Sequence, residues 1–173
     1  MRIAILSDIH DHVWNLDKAL KLSEGCERMI CCGDLCSPFI IDQLARGFAG
    51  EIHIVFGNND ADLFRITNKA ATKYAATIRL RGEFFEAEWD GRKIAAQHFD
   101  NIALAIAAAG TYDAVFYGHN HVFDISRIGR TLAVNPGSVM GAQFDAEARR
   151  TDVTPTMAIY DTVRGEAGRI ELS

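Results

Sequence analysis

Short apolar runs and helical stripes alternate along the first half of the chain. The run Ile3-Ala4-Ile5-Leu6 predicts a strand over Arg2 to Leu6, and comparable runs predict strands over Arg28 to Cys32 and Glu51 to Phe56. Between them apolar positions recur at helical spacing, which predicts helices over Asp11 to Ser23 and Pro38 to Phe48, with a third over Asp62 to Tyr74. Ser37 before Pro38 reads as an N-cap followed by proline at the first helical position, and Gly25 and Gly50 suit helix ends. This alternation is that of a βαβαβ parallel core.

The second half changes period. Ile78 to Leu80, Phe84 to Trp89 and Lys93 to Ala96 read as strands, with Asp90-Gly91 as a hairpin turn. An alanine-rich helix over Asn101 to Ala109 ends at Gly110, and strands follow over Ala114 to Tyr117, Val122 to Ile128, Thr131 to Val134, Met157 to Asp161 and Gly168 to Leu172. So many strands in so short a chain predict an α/β fold of two sheets packed face to face with helices outside. Val139 to Thr156 is polar and reads as a surface loop. No repeat, linker or low-complexity tract interrupts the chain.

At 173 residues, residues 1–173 are expected to form a single domain. A hydrophobic share of 49% and a charged share of 24% are those of an ordinary globular protein. The net charge of -5 offers no general attraction to nucleic acid or an anionic membrane, so an anionic substrate has to be drawn locally, and bound dications would do that. The chain runs straight into a strand and Asp8 without the apolar core of a signal peptide, and no apolar run approaches a membrane span; a cytoplasmic location is the expectation. Cys26, Cys31, Cys32 and Cys36 lack paired spacing and read as reduced structural thiols, with Cys36 alone expected near the rim of a site.

That site is announced by five polar clusters, SDIH at Ser7 to His10, GDLC at Gly33 to Cys36, GNND at Gly57 to Asp60, QHFD at Gln97 to Asp100 and GHNH at Gly118 to His121. Each lies at the end of a strand-like run, and in open α/β sheets such ends share one crevice. Together they carry Asp8, His10, Asp34, Asn58, His98, His119 and His121, with Asp60 in reserve. Carboxylate and imidazole ligands of this kind suit a pair of Mn, Fe, Co, Ni or Zn ions better than Ca. If Asp8 and His10 lie in extended backbone, the strand period of two projects both from one side, and His119 and His121 repeat the arrangement.

In this order the five clusters resemble the calcineurin-like metallophosphoesterases, in particular their small single-domain bacterial and archaeal phosphodiesterase branch, over Ile3 to about Ser138. The resemblance implies a four-layer α/β/β/α sandwich of two mixed sheets. It also implies that Asp8, His10 and His121 hold one divalent ion, that Asn58, His98 and His119 hold a second, and that Asp34 bridges them. Asn135-Pro136-Gly137-Ser138 resembles the turn that supports the second histidine pair in that branch. Ions about 3.5–4 Å apart would lower the pKa of a bridging water, making hydroxide the nucleophile on a small phosphate ester. The catalytic positions so assigned are Asn58 and Asn59. Many members of the wider family carry histidine, as the general acid, where this chain has Asn59, and glycine where it has Phe99, a bulk that would narrow the pocket or shift His98.

Other residues carry plainer readings. Asp60 reads as the cap of the following helix, His53 as a structural histidine within a strand, and His12 as a helix-start residue. Asp100 either orients an imidazole or caps the next helix. Arg149 and Arg150 are solvated surface charges rather than phosphate contacts. Besides phosphodiester hydrolysis the sequence leaves open phosphomonoester hydrolysis and a non-catalytic protein-binding role, as in the retromer subunit of the same fold and size. Exposed Phe84, Phe85 and Trp89 on the expected hairpin make self-association through that edge an expectation.

Overall fold

A computed structural model describes residues 1–173. In chain order the elements are β1 (Arg2–Leu6), α1 (Val13–Leu22), β2 (Arg28–Cys31), α2 (Pro38–Gly47), β3 (Glu51–Ile54), α3 (Leu63–Ala71), β4 (Ile78–Leu80), β5 (Phe84–Trp89), β6 (Arg92–Gln97), α4 (Asp100–Ala108), β7 (Ala114–Phe116), β8 (Asp124–Ile128), β9 (Thr131–Asn135), β10 (Ala142–Phe144), β11 (Arg150–Asp152), β12 (Thr156–Asp161) and β13 (Glu166–Glu171). One sheet has the order β13-β12-β1-β2-β3-β4, the other β5-β6-β7-β9-β8. Strands β1 to β4 run parallel, and β12 returns antiparallel beside β1. In the second sheet β6, β7 and β9 are parallel and both edge strands antiparallel. Both sheets are therefore mixed, as expected.

The period of two divides each strand between two cores. Ala4, Leu6, Met29, Cys31, Ile52 and Ile54 turn toward Leu16, Ile40, Leu44 and Ile66 of the first three helices. Their alternates Ile3, Ile5, Ile30 and Val55 meet Ile94, Ala96, Phe116 and Val134 of the second sheet. The far face of that sheet packs Ala95, Val115 and Ala133 against Ala103 and Ala107 of α4. The layers are thus α/β/β/α, and burial on both faces is why these strands read as unbroken apolar runs. Phe116 meets Tyr160 edge-on with centroids 5.3 Å apart between the sheets. Truncating Phe116 to alanine there would cost about 3–5 kcal/mol.

Three expectations are corrected. The polar stretch Val139 to Thr156 contains a two-stranded antiparallel hairpin, β10 with β11, pairing Ala142 with Asp152 and Phe144 with Arg150. All three β11 residues are exposed, so the pairing leaves no apolar alternation to read. Phe85 is buried between the sheets and Trp89 is half-buried over His53, which leaves Phe84 as the exposed aromatic of that hairpin edge. Asp62 caps α3, accepting from the backbone N–H of Arg65, a role expected of Asp60. The Asp90-Gly91 turn is as expected, with positive φ at both residues.

Candidate metal centre

Because β1, β2 and β3 are parallel to one another, and β6 and β7 likewise, their carboxyl ends open onto one edge of the sandwich, where all five clusters lie. The side chains converge by a different route from the extended one expected. Asp8, His10, Asp34, His119 and His121 all have left-handed backbone, with φ between 44° and 74°. Each such residue costs on the order of 1–2 kcal/mol. Hydrogen bonds hold the strained turns in place: Asp8 N–H to Gly33 O at 3.1 Å, His10 N–H to Asp34 O at 3.0 Å, and Met140 N–H to Asp8 O at 3.0 Å. Gly33 allows the close approach, since a Cβ there would stand 2.7 Å from both Gly57 N and His98 Nδ1.

The candidate ligand atoms form two overlapping groups. In the first, Asp8 Oδ1 lies 3.2 Å from His121 Nε2 and 3.8 Å from His10 Nε2, and the two imidazole nitrogens are 3.3 Å apart. In the second, Asn58 Oδ1 lies 3.1 Å from His98 Nε2 and 3.0 Å from His119 Nδ1. Asp34 Oδ2 touches both groups, at 3.4 Å from His10 Nε2 and 3.5 Å from His98 Nε2. Asp8, Asp34, His98 and His121 are buried, whereas Asn58 and His119 face solvent. A ligand from outside would reach the second group first.

Outer hydrogen bonds decide which ring nitrogen is free. His98 Nδ1 meets Cys32 O at 2.7 Å and His121 Nδ1 meets Ala142 O at 2.6 Å. A carbonyl only accepts, so both protons sit on Nδ1 and both Nε2 lone pairs point into the site. Asp8 Oδ1, fully buried and without a hydrogen-bond partner, faces one of those lone pairs. An arrangement of this kind is favourable only around a cation or a proton. Burial opposes the Asp8 charge, but the adjacent His10 and His121 rings outweigh it and hold the carboxyl well below its ordinary range. Burial likewise opposes protonation of His98 and His121, while Asp34 and Asp8, respectively, raise them overall. The centre therefore favours positive charge among its oxygens and imidazoles, and its donor set fits Mn, Fe, Co, Ni or Zn.

Several supporting contacts were not evident from motif spacing. The Asn59 backbone N–H and side-chain amide donate to the two oxygens of Asp34, each at 2.8 Å. Asp60 gathers the backbone N–H groups of Asp34, Leu35, Cys36 and Gly57, tying the second cluster to the third. Asp100 orients no imidazole: it begins α4 and accepts from Asn120, which sits between His119 and His121. Asn135 donates to Gly118 O and Asn120 Oδ1, and Ser138 donates to Asp8 O, so the NPGS segment buttresses both histidine turns. Phe99 lies edge-on to His98 and His119, with centroids 5.2 and 4.9 Å away, and leaves His98 fully buried in place. His12 caps α1 through Nδ1 and His53 lies within β3 between the sheets. Arg149 and Arg150 pair with Asp145, Glu147 and Asp152 at the surface. Among such aids only the Gly and Asn positions beside the clusters hint in sequence at tight turns.

Comparison with known proteins points the same way. The profile of the calcineurin-like phosphoesterase superfamily domain matches residues 1–165. A phosphodiesterase of Methanocaldococcus jannaschii is 31% identical over 176 residues, covering 99% of each chain. The solved structure of an archaeal phosphodiesterase superposes with a TM-score of 0.82 at 29% identity, again over 99% of each chain. Vps29 from Entamoeba histolytica, solved with zinc, superposes with a TM-score of 0.66 at 21% identity over the whole of both chains, a likeness of fold.

Proposed function

The chain belongs to the calcineurin-like phosphoesterase superfamily, and on that premise we propose that it is a phosphodiesterase whose centre holds two divalent ions. Membership makes it a hydrolase of phosphate esters. In this reading Asp8, His10 and His121 hold one ion, Asn58, His98 and His119 the other, and Asp34 is shared. The observation that carries it is the buried, unpartnered Asp8 Oδ1 facing the Nε2 lone pair of His121. Bound ions would supply an activated water and neutralise charge on the phosphoryl oxygens.

The chain's own residues do the rest. Asn59 holds both Asp34 oxygens and has no proton to give a leaving oxygen, a contribution typically about 10²–10⁴-fold when a positioned acid supplies it. The substrates favoured are then diesters with acidic leaving groups, because they need that proton least. The complete ligand set supports hydrolysis over a non-catalytic scaffold role. Turnover of an aryl diester, its matching monoester and an alkyl monoester, each with Mn and with chelator, tests the proposal. Metal-dependent cleavage with the aryl diester fastest is expected. Faster cleavage of the alkyl monoester would make the protein a phosphomonoesterase, and no metal-dependent cleavage of any ester would overturn the reading.

A further inference from the structure

Most of the exposed large apolar side chains gather on one edge of the molecule. Trp14, Phe39, Phe64 and Ile102, between 46% and 80% exposed, are each the second or third residue of one of the four helices. Each helix begins at or just after one of the polar clusters, so its first turn lies on the edge where the candidate ligands meet. Phe144 of β10 joins them, 48% exposed and in a hairpin whose other strand is wholly exposed. None of these side chains belongs to the three cores, so core packing does not account for them. Apolar surface gathered in this way marks a binding surface.

Two aromatic rings come close enough to the candidate ligands to define what is bound. Phe144 stands edge-on to His121 of the first group, with centroids 5.7 Å apart. Phe99, half-buried and also outside the cores, stands 4.9 Å from His119 and 5.2 Å from His98 of the second. Each group therefore has an aromatic wall of its own. A phosphodiester is a monoanion with two organic groups on one phosphorus. With its phosphoryl oxygens drawn to the centre, both organic groups have to leave it, and an aromatic wall stands beside either group of ligands. A monoester would leave one wall empty, and half-buried Phe99 suits a small ring better than a protein surface.

We propose that Phe144 and Phe99 are specificity-determining residues, each packing against one ester group, and that the substrate class is a phosphodiester with a planar aromatic group on each side of phosphorus. The inference rests on the phosphodiesterase reading above. Ring pairs in stacked or edge-on contact contribute about 2- to 10-fold in affinity beyond the area they cover.

The test uses phosphinates, whose P–C bonds a phosphoesterase does not hydrolyse. Dibenzylphosphinate presents a ring on each side of a monoanionic phosphorus, with methylene groups where the ester oxygens would stand; benzyl(ethyl)phosphinate presents one ring. Calorimetry on the Mn-loaded full chain should show the dibenzyl compound binding about 2- to 10-fold tighter. Phe144→Ala and Phe99→Ala should each bring that ratio to one, and Phe144→Tyr should keep it. A disturbed His121 or His98 would weaken both phosphinates alike and leave the ratio intact, so an unchanged ratio in either alanine variant overturns the inference. Equal binding of the two phosphinates by the wild type, or binding of neither, overturns it as well and leaves the exposed edge to a protein partner. Turnover of bis(p-nitrophenyl) phosphate with Mn, measured alongside, tests the parent reading separately. Ring preference without turnover would sink the phosphodiesterase reading and leave the two ring contacts standing, whereas turnover without ring preference would sink the inference alone.

Discussion

Asp34 is the residue on which the most contacts of the centre converge. Its oxygens accept from Asn59, face His10 and His98, and belong to a backbone turn that Asp60 clamps through the Asp34 N–H. Replacing it by asparagine keeps the shape and removes the charge. Asp34→Asn is expected to lower turnover on the order of 10³-fold, the scale of losing a metal's charge stabilisation, while circular dichroism stays native. Unchanged metal-dependent turnover would show that Asp34 is not a shared ligand. Asn59→His should act differently, shifting the ratio of alkyl to aryl ester cleavage upward as an acid is restored, although it also removes one Asp34 hydrogen bond. If every substrate slows alike, the side chain serves only to hold Asp34. At this scale the convergence of the candidate ligands was legible, because acid and imidazole clusters after apolar runs are rare together. Their left-handed backbone was not, since nothing in the residue types separates an extended Asp8-Ile9-His10 from a coiled one.

At the scale of elements the hairpin of β10 and β11 shows what local pattern misses. It belongs to neither large sheet, and its β11 is wholly exposed, yet its first residue supplies the carbonyl that fixes His121. Gln143 adds a hydrogen bond to His121 O, and Phe144 stands edge-on to the ring at 5.7 Å. The ends of the hairpin are already joined, Val153 N–H donating to Gly141 O at 3.0 Å. Replacing residues 142–152 by a short glycine-rich turn should therefore leave both sheets folded and weaken metal binding by His121 about 10–100-fold. Calorimetric metal titration beside a thermal melt separates this outcome from general unfolding. The core elements were legible from their periods, β1 to β3 and the helices between them most of all, because each of these strands is buried on both faces. Strand order was less so: β12 reaches its place beside β1 from the far end of the chain, with β13 outside it, a pairing that no local signal encodes.

For the molecule as a whole, the contact between the two sheets has a polar corner with consequences for stability. His53 of β3 stacks on Phe85 with centroids 4.8 Å apart and meets the edge of Trp89 at 5.0 Å. Arg81 Nε donates to its Nδ1 at 3.2 Å, Arg28 lies at 3.4 Å from Nε2, and Glu51 at 3.7 Å. Arg79 approaches from β4 and pairs with Glu51. Burial, and then the Arg81 charge, press the imidazole down from 6.5 to about 4. The unfolded chain then binds the extra proton between those two values, so stability must rise with pH across that window. Its contribution is complete above pH 6.5 and declines as the pH falls toward 4, by up to about 3 kcal/mol. Protonating His53 would place a further positive charge among Arg28, Arg79 and Arg81, with Glu51 the one carboxylate paired within the corner. Urea unfolding of metal-free protein from pH 7 to 4 should show the wild type losing more stability than His53→Gln over this window. The level of the variant will be lower throughout because stacking on Phe85 is lost, so the comparison lies in the slopes. Parallel slopes would mean that His53 accepts a proton in the folded state as readily as in the unfolded one, and that the two sheets do not depend on its neutrality.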